Sequence, residues 1–329
     1  MSKDSESGML GKFIDFFKGR KGSLDDSIEQ FYKSEDSSDS FLKTLCEYVS
    51  GERTLEETKH LDFSGPVAMF AGCAKIVEKY DPDRAMDCFE ATMTKARDLV
   101  ELDNNFSVSP QRIDEIMVCY AMGKLMHHGT PVLETILHIA DNFQRIKERK
   151  DDESYKGNPE YAAEDALRYL NHAIRQGDTL EHPMEEKLFF SPLSVYLASI
   201  GEYTGDFDKT LMKSAELLEL GSRTKMSPAE INEVAFYYAF GTLIDAGLSL
   251  ERTFMMLQDG SKNYLIGPEA NVFDGMINDA KGNVALETIL EKQSSFSPDL
   301  VKRLADPNVP WEQELLKYSA ELQEKYSKN

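Results

Sequence analysis

SPQRIDEIMVCYAMGKLMHHGTPVLET, at residues 109–135, returns as SPAEINEVAFYYAFGTLIDAGLSLERT at residues 227–253. The offset is a constant 118 residues (227 minus 109), and ten of the 27 aligned positions are identical. Each copy opens with Ser-Pro, and both carry glycines at the positions of Gly123 and Gly129. A repeat of this length predicts a duplicated supersecondary unit. Because stacked helical units present extended surfaces, the repeat favours a binding function over a single catalytic pocket.

Each copy has the apolar spacing of an α-helix that is followed by a tight turn. In the first copy, Ile113, Ile116 and Tyr120 recur at intervals of three and four residues. Ser-Pro supplies an N-cap and a proline at the first helical position. Gly129 and Gly247 can adopt the left-handed conformation that ends a helix. No alternating run of β-branched residues is long enough for a strand, so we predict an all-α fold in which each copy opens as a helical hairpin.

The residues after each copy repeat as well. Phe190-Ser191-Pro192 returns as Phe296-Ser297-Pro298, and a weaker echo, Phe63-Ser64-Gly65-Pro66, occurs upstream. We therefore expect tandem bundles of about six helices per unit, preceded by a half repeat that needs a neighbouring unit or a second chain to cover its apolar face. The predicted segments are an amphipathic helix at 1–23, a flexible acidic linker at 24–40, the half repeat at 41–103, copy 1 at 109–221 and copy 2 at 227–326.

The composition restricts the classes of function. A hydrophobic content of 41% in 329 residues is typical of a globular protein and allows more than one core. A formal net charge of −21 argues against nucleic acid as a partner, because phosphate contacts need clustered Lys and Arg. An acidic surface favours solubility and also fits a basic partner face.

Cysteine usage and hydropathy predict a reduced protein of the cytoplasm. The four cysteines form no C-x-x-C pair, and we recognise no secretory signal peptide. No stretch reaches the roughly 18–20 uninterrupted apolar residues that a membrane-spanning helix requires. We therefore expect free thiols and no transmembrane segment.

The N-terminus predicts an amphipathic helix over residues 8–21. At the standard helical pitch its apolar side chains fall within an arc of about 160°. Basic residues flank this face, which is typical of a helix that lies at a membrane surface. A helix that folds back on its own bundle and a ligand for a partner's groove are the alternatives. The residues concerned are Met9, Leu10, Lys12, Phe13, Ile14, Phe16, Phe17 and Lys18.

Catalytic and cofactor motifs are missing from the chain, including the phosphate-binding loop, the H-E-x-x-H zinc pair and the G-x-S-x-G elbow. We therefore expect the protein to have no enzymatic activity, no cofactor and no resident metal. Glu134 with three nearby histidines (127, 128 and 138) could contribute metal ligands, but a complete set is not apparent, and helix-cap or surface roles are the alternative. Glu202, Asp206 and Asp208 could bind a hard cation, although bracing of helix ends is the preferred interpretation.

One motif combination resembles a known family. A helix that contains Gly241 and ends at Gly247 is followed by a Leu-rich helix. The F-S-P and G-E-x-x-G-x-x-D elements occur, in that order, within residues 190–208. The stretch IGEYTGDFDKTL at 200–211 is the most characteristic. These residues resemble the cytoplasmic domains of the type II secretion F and type IV pilus inner-membrane platform protein family. The resemblance covers residues 109–326, and its G-E-x-x-G element is intact only once.

The resemblance implies a non-enzymatic adaptor of a secretion or pilus machine. Family members carry a transmembrane helix between two six-helix domains, whereas here residues 219–226 connect the two copies directly. We therefore expect a soluble, cytoplasmic relative, peripheral at the inner face of the cytoplasmic membrane, that binds the machine's ATPase, its membrane proteins or another copy of itself. A generic helical-repeat scaffold of an unrelated complex and, less favoured, a metal-dependent enzyme are the alternatives. The residues expected to contact partners are Gly129, Gly201, Glu202, Gly205, Asp206, Asp208, Asp245 and Gly247.

Overall fold

A computed structural model of the chain describes residues 11–12, 14–15, 65–71, 73–81, 84–149 and 163–328. Within these ranges all regular secondary structure is helical, and no strand occurs. The all-α prediction is therefore confirmed. The chain divides into two compact units, Met1–Phe190 (unit 1) and Ser191–Asn329 (unit 2).

Unit 1 is built around a long helix, α3, that packs against two short ones, α1 and α2, and around the paired helices α5 and α6. Phe70, Phe89 and Phe189 are completely buried in this unit. The three described cysteines, Cys73, Cys88 and Cys119, are buried and form no disulfide with one another. The helices are α1 (Gly65–Ala71), α2 (Cys73–Tyr80), α3 (Ala85–Asn105), α4 (Pro110–His127), α5 (Val132–Arg149), α6 (Ala163–Arg175) and α7 (Glu181–Glu185).

Unit 2 has an aromatic core and a central helix, α10, against which the last helix, α15, lies. A Cβ at Gly241 would come within 2.8 Å of Leu316 Cγ and 3.1 Å of the Glu312 carbonyl oxygen, so glycine permits the close approach of α15. Phe236 contacts Phe240, Phe273 and Phe296 at centroid distances of 6.1 to 6.3 Å. The helices are α8 (Pro192–Thr204), α9 (Phe207–Arg223), α10 (Pro228–Asp245), α11 (Leu250–Tyr264), α12 (Ala270–Lys281), α13 (Leu286–Glu291), α14 (Pro298–Leu304) and α15 (Trp311–Ser327).

The Ser-Pro pairs begin helices at the predicted positions. Ser109 accepts a hydrogen bond from the Arg112 N–H at 3.3 Å, and Ser227 forms a reciprocal capping box with Glu230. Ser191 accepts a weaker one from the Ser194 N–H at 3.4 Å. Ser297 occupies the N-cap position of α14, but its side chain makes no capping hydrogen bond.

Two glycines end α4 and α10 as predicted. Gly129 and Gly247 have φ angles of 83° and 78°, in the left-handed region where a side chain would be strained. In each turn the next N–H reaches back five residues, from Thr130 to the Leu125 carbonyl at 3.1 Å and from Leu248 to the Leu243 carbonyl at 3.2 Å. These bonds satisfy carbonyls that the helix end would otherwise leave free.

The division between the units falls at residues 190 and 191, within the segment predicted as copy 1. The boundaries of the sequence repeats therefore differ from those of the compact units, and the tandem-bundle boundaries stay a prediction.

No helix in the described part of the chain is long and apolar enough to cross a membrane.

Candidate partner-binding site

The α8–α9 turn, residues 201–208, is shaped by its two glycines. A Cβ on Gly201 would lie 2.3 Å from Thr210 Oγ1 and 2.7 Å from Phe207 Cα, so only glycine lets the two helices approach this closely. Gly205 ends α8 with a φ of 80°, and its N–H donates to the Gly201 carbonyl at 2.9 Å. Because Gly201 is buried, it determines the shape of the turn. Direct contact with a partner falls to the exposed residues beside it.

Acidic side chains from two parts of unit 2 act on one lysine beside this turn. Lys209 Nζ lies 2.5 Å from Asp206 Oδ1, and this hydrogen bond is the main reason that the pKa of Lys209 is raised. The charges of Asp208 and Asp245 raise that pKa further, which places the end of α10 near the same ammonium group. The structure thus brings together the turn and the α10–α11 hairpin end (residues 243–253). We call Glu202, Asp206, Asp208 and Asp245 the acidic corner.

The acidic corner is accessible and carries aromatic surface. Tyr203 is 54% exposed, and Glu202 and Asp245 are also exposed. Tyr238 is half-buried beside the corner, and Lys213 Nζ lies 5.5 Å from its ring centroid. Burial raises the pKa of Tyr238 to about 12, and nearby carboxylates, including Asp206 and Asp208, add to this shift. The corner therefore combines negative potential with exposed aromatic surface.

The α4–α5 hairpin end (residues 125–135), which contains Gly129, contacts the C-terminal end of α2 in unit 1. Glu134 accepts hydrogen bonds from Lys79 Nζ at 2.7 Å and from the Tyr80 hydroxyl. Asp81 and Arg84 act electrostatically on His128. The hairpin end thus lies near Lys79, Tyr80, Asp81 and Arg84. These four residues are not among the site residues predicted from the sequence.

The histidines near α5 do not converge with Glu134: the rings of His127 and His128 contact each other at a centroid distance of 5.3 Å. His138 Nε2 lies 3.1 Å from Asn142 Nδ2, while Glu134 is engaged by Lys79 and Tyr80. In the part of the chain that the structure describes, no group of three or more His, Cys, Asp or Glu side chains is placed to hold a metal ion.

The predicted N-terminal helix is described only in part. Residues 11–12 and 14–15 are helical, Lys12 is exposed and Ile14 is buried. Burial of Ile14 within the chain is what the alternative of a helix folded back on its own bundle requires. The remaining residues of the predicted apolar face and Lys18 lie outside the described residues.

Comparison with known proteins gives one match. Residues 121–227 match the family model for the type II secretion system (T2SS) protein F. No curated protein and no solved structure matches the chain. The matched segment begins within α4, ends at the N-cap of α10, and includes both Gly129 and the whole α8–α9 turn. Residues 121–227 therefore carry a T2SS protein F domain, and the suspected family resemblance is confirmed for this part of the chain.

Proposed function

We propose that this protein is a non-enzymatic assembly or adaptor component of a type II secretion or type IV pilus-like machine. It docks the motor ATPase and membrane components of that machine. The observation that carries this proposal is the T2SS protein F match, which spans the α8–α9 turn and thus most of the acidic corner. A secretion-system family favours protein partners over small-molecule substrates.

The chemistry of the acidic corner suggests the kind of partner face that it fits. Glu202 and Asp245 are exposed, and Asp206 is held in place by Lys209. Tyr203 offers a large, rigid side chain of the type that concentrates binding energy at interfaces. Carboxylates around such an anchor steer a basic face into contact and reject acidic ones. We infer that the partner presents Lys or Arg around an apolar pocket.

The N-terminal segment supplies the second part of the proposal. Residues 8–21 combine apolar residues with Lys12 and Lys18, so they fit an anionic membrane surface or a partner's groove. Because Ile14 is buried within the chain, either contact requires this segment to leave that position. We propose a peripheral position at the inner face of the cytoplasmic membrane. Self-association through the same segment is the alternative, and the truncation experiment below distinguishes the two.

The test is affinity capture from native cells with full-length protein and a charge-reversal variant, Glu202→Lys with Asp245→Lys. The expected result is recovery of a secretion or pilus ATPase by the wild type and its loss, by about tenfold or more, in the variant. The control is Asp259→Lys with Glu291→Lys, which changes two exposed acidic residues of the same unit and gives the same net charge. Equal capture by both variants would contradict a docking role for the corner.

A truncation lacking residues 1–23 completes the design. If the truncation loses only the membrane proteins and keeps the ATPase, the N-terminal segment is the anchor. If it loses added untagged copies of the chain instead, the segment mediates self-association. Recovery of a complex unrelated to secretion or pili would reject the proposal in favour of a generic helical scaffold.

A further inference from the structure

His128 is a buried histidine whose ring has no hydrogen-bond partner. Its side chain lies at the end of α4, the residue is 5% exposed, and both ring nitrogens are sealed from solvent. Thr130 and Thr135, in the same hairpin end, are also buried with unpartnered hydroxyl groups. Unpartnered polar atoms in a buried site are unusual and costly. A charge placed on the His128 ring would cost considerably more than the neutral imidazole does.

The groups that face His128 make protonation less favourable. Lys124 and His127 come from its own helix, and Asp81 and Arg84 come from the chain between α2 and α3. Of these four, only Asp81 would favour a charged ring. Burial is the main cause, and the cations add to it, so that the pKa of His128 is lowered from 6.5 to about 4. The site therefore holds a neutral imidazole at pH 7 and has no acceptor ready for a second N–H.

We propose that the α4–α5 hairpin end is an acid-sensitive element that opens when His128 takes up a proton. Once charged, the ring gains hydration by leaving its buried position. The turn that holds it is closed by backbone hydrogen bonds, such as the one from the Gly129 N–H to the Met126 carbonyl at 2.9 Å, and the hairpin end is also held by the bonds that Glu134 accepts from Lys79 and Tyr80. Opening would separate this hairpin end from Tyr80, Asp81 and Arg84.

The second hairpin provides a control within the same molecule. At the aligned position in the α10–α11 hairpin end, Ala246 replaces His128 and Asp245 replaces His127. This turn has the same left-handed glycine and the same five-residue backbone bond. Because Ala246 cannot titrate, we expect the opening of this hairpin end to be nearly independent of pH between 5 and 7 (roughly the range in which histidine titrates).

The direction of the effect follows from the two protonation states. The pKa of His128 is lowered in the folded protein, so the open state binds the proton more tightly. Full stability is present above pH 6.5, the ordinary pKa, and is lost as the pH falls from 6.5 towards about 4. For an open state with the ordinary pKa, the ratio of closed to open hairpin falls by roughly 20-fold between pH 7 and pH 5.

The experiment measures hydrogen exchange of the full-length protein at pH 7 and pH 5, corrected for the intrinsic exchange rate at each pH. Peptides covering residues 125–135 should lose about 20-fold in protection relative to peptides covering 243–253. His128→Gln should abolish this difference. His172→Gln, which changes an exposed histidine of the same unit, should preserve it.

A second measurement does not depend on a variant that folds. The pKa of His128 can be read from the NMR shift of its ring Cε1–H in the unmodified protein. A value well below 6 supports the proposal, whereas titration near 6.5 or above would overturn it by showing that the ring has a partner or access to water. Equal loss of protection in both hairpin ends would overturn it as well.

Discussion

The side chain of Tyr196 in unit 2 is closely packed, but its hydroxyl group forms no hydrogen bond. Tyr196 is 1% exposed, and a Cβ on Gly260 would lie only 2.3 Å from its ring atom Cε2. Its hydroxyl group is buried without a hydrogen-bond partner, and burial raises the pKa of Tyr196. The ring therefore contributes packing between α8 and α11, while the hydroxyl group adds a desolvation cost.

Replacing this tyrosine should therefore stabilise the protein. Tyr196→Phe keeps the ring and removes the unpartnered hydroxyl group, so the free energy of unfolding should rise by about 1 kcal/mol. Tyr326→Phe is the matched control, because the Tyr326 hydroxyl donates to Glu233 at 2.5 Å and its loss should destabilise. Urea unfolding at pH 7 measures both variants. If Tyr196→Phe destabilised the protein as well, the Tyr196 hydroxyl would have a partner, such as a buried water molecule.

At the scale of the helix, local sequence signals predicted starts and ends well. Ser109, Ser227, Gly129 and Gly247 act at the predicted positions because caps depend on residues a few positions away along the chain. Gly201 was different. Its close contact with Thr210 and Phe207 depends on how α8 meets α9, and no local pattern states that distance.

Two Ser-Pro starts that look alike in sequence should differ in their energetic contribution. Ser227 has a capping box, in which its own N–H donates to Glu230 Oε2 at 2.7 Å, whereas the Ser297 side chain caps nothing. Ser227→Ala should lower the free energy of unfolding by about 1 kcal/mol, and Ser297→Ala should change it by only a few tenths. Chemical denaturation of the two variants compares them directly. Equal losses would mean that the Ser297 hydroxyl does form a cap in solution.

At the scale of the whole molecule, the repeat revealed the elements but did not reveal which of them pack together. The sequence aligns α8 and α9 with the end of copy 1, yet they belong to the compact unit that contains α10 to α15. Repeated sequence records descent and local structure, whereas a core forms wherever apolar faces meet. The acidic corner arises from this packing, because Asp245 and the α8–α9 turn come from different predicted copies.

This packing leads to a prediction about which fragment folds. A fragment of residues 191–329 keeps the Tyr196 contact with Gly260 and the bonds from Lys213 Nζ to Gln323 at 2.6 Å and from Gln323 to Glu216 at 2.6 Å. A fragment of residues 227–329, which corresponds to copy 2, lacks α8 and α9 and uncovers apolar surface on α10 and α11. We expect the longer fragment to unfold cooperatively in urea. The shorter one should lose several kcal/mol of stability or fail to unfold cooperatively, because it leaves the faces of large core residues exposed.

Circular dichroism and near-ultraviolet fluorescence, followed together through urea unfolding, distinguish the two fragments. Trp311 is present in both, so the same probe reports on α15 in each case. Coincident transitions in the 191–329 fragment, with none or a much earlier one in the 227–329 fragment, would establish that the folding unit spans the boundary between the sequence repeats. A stable, cooperative 227–329 fragment would instead show that copy 2 folds alone and that α8 and α9 are additions to a complete bundle.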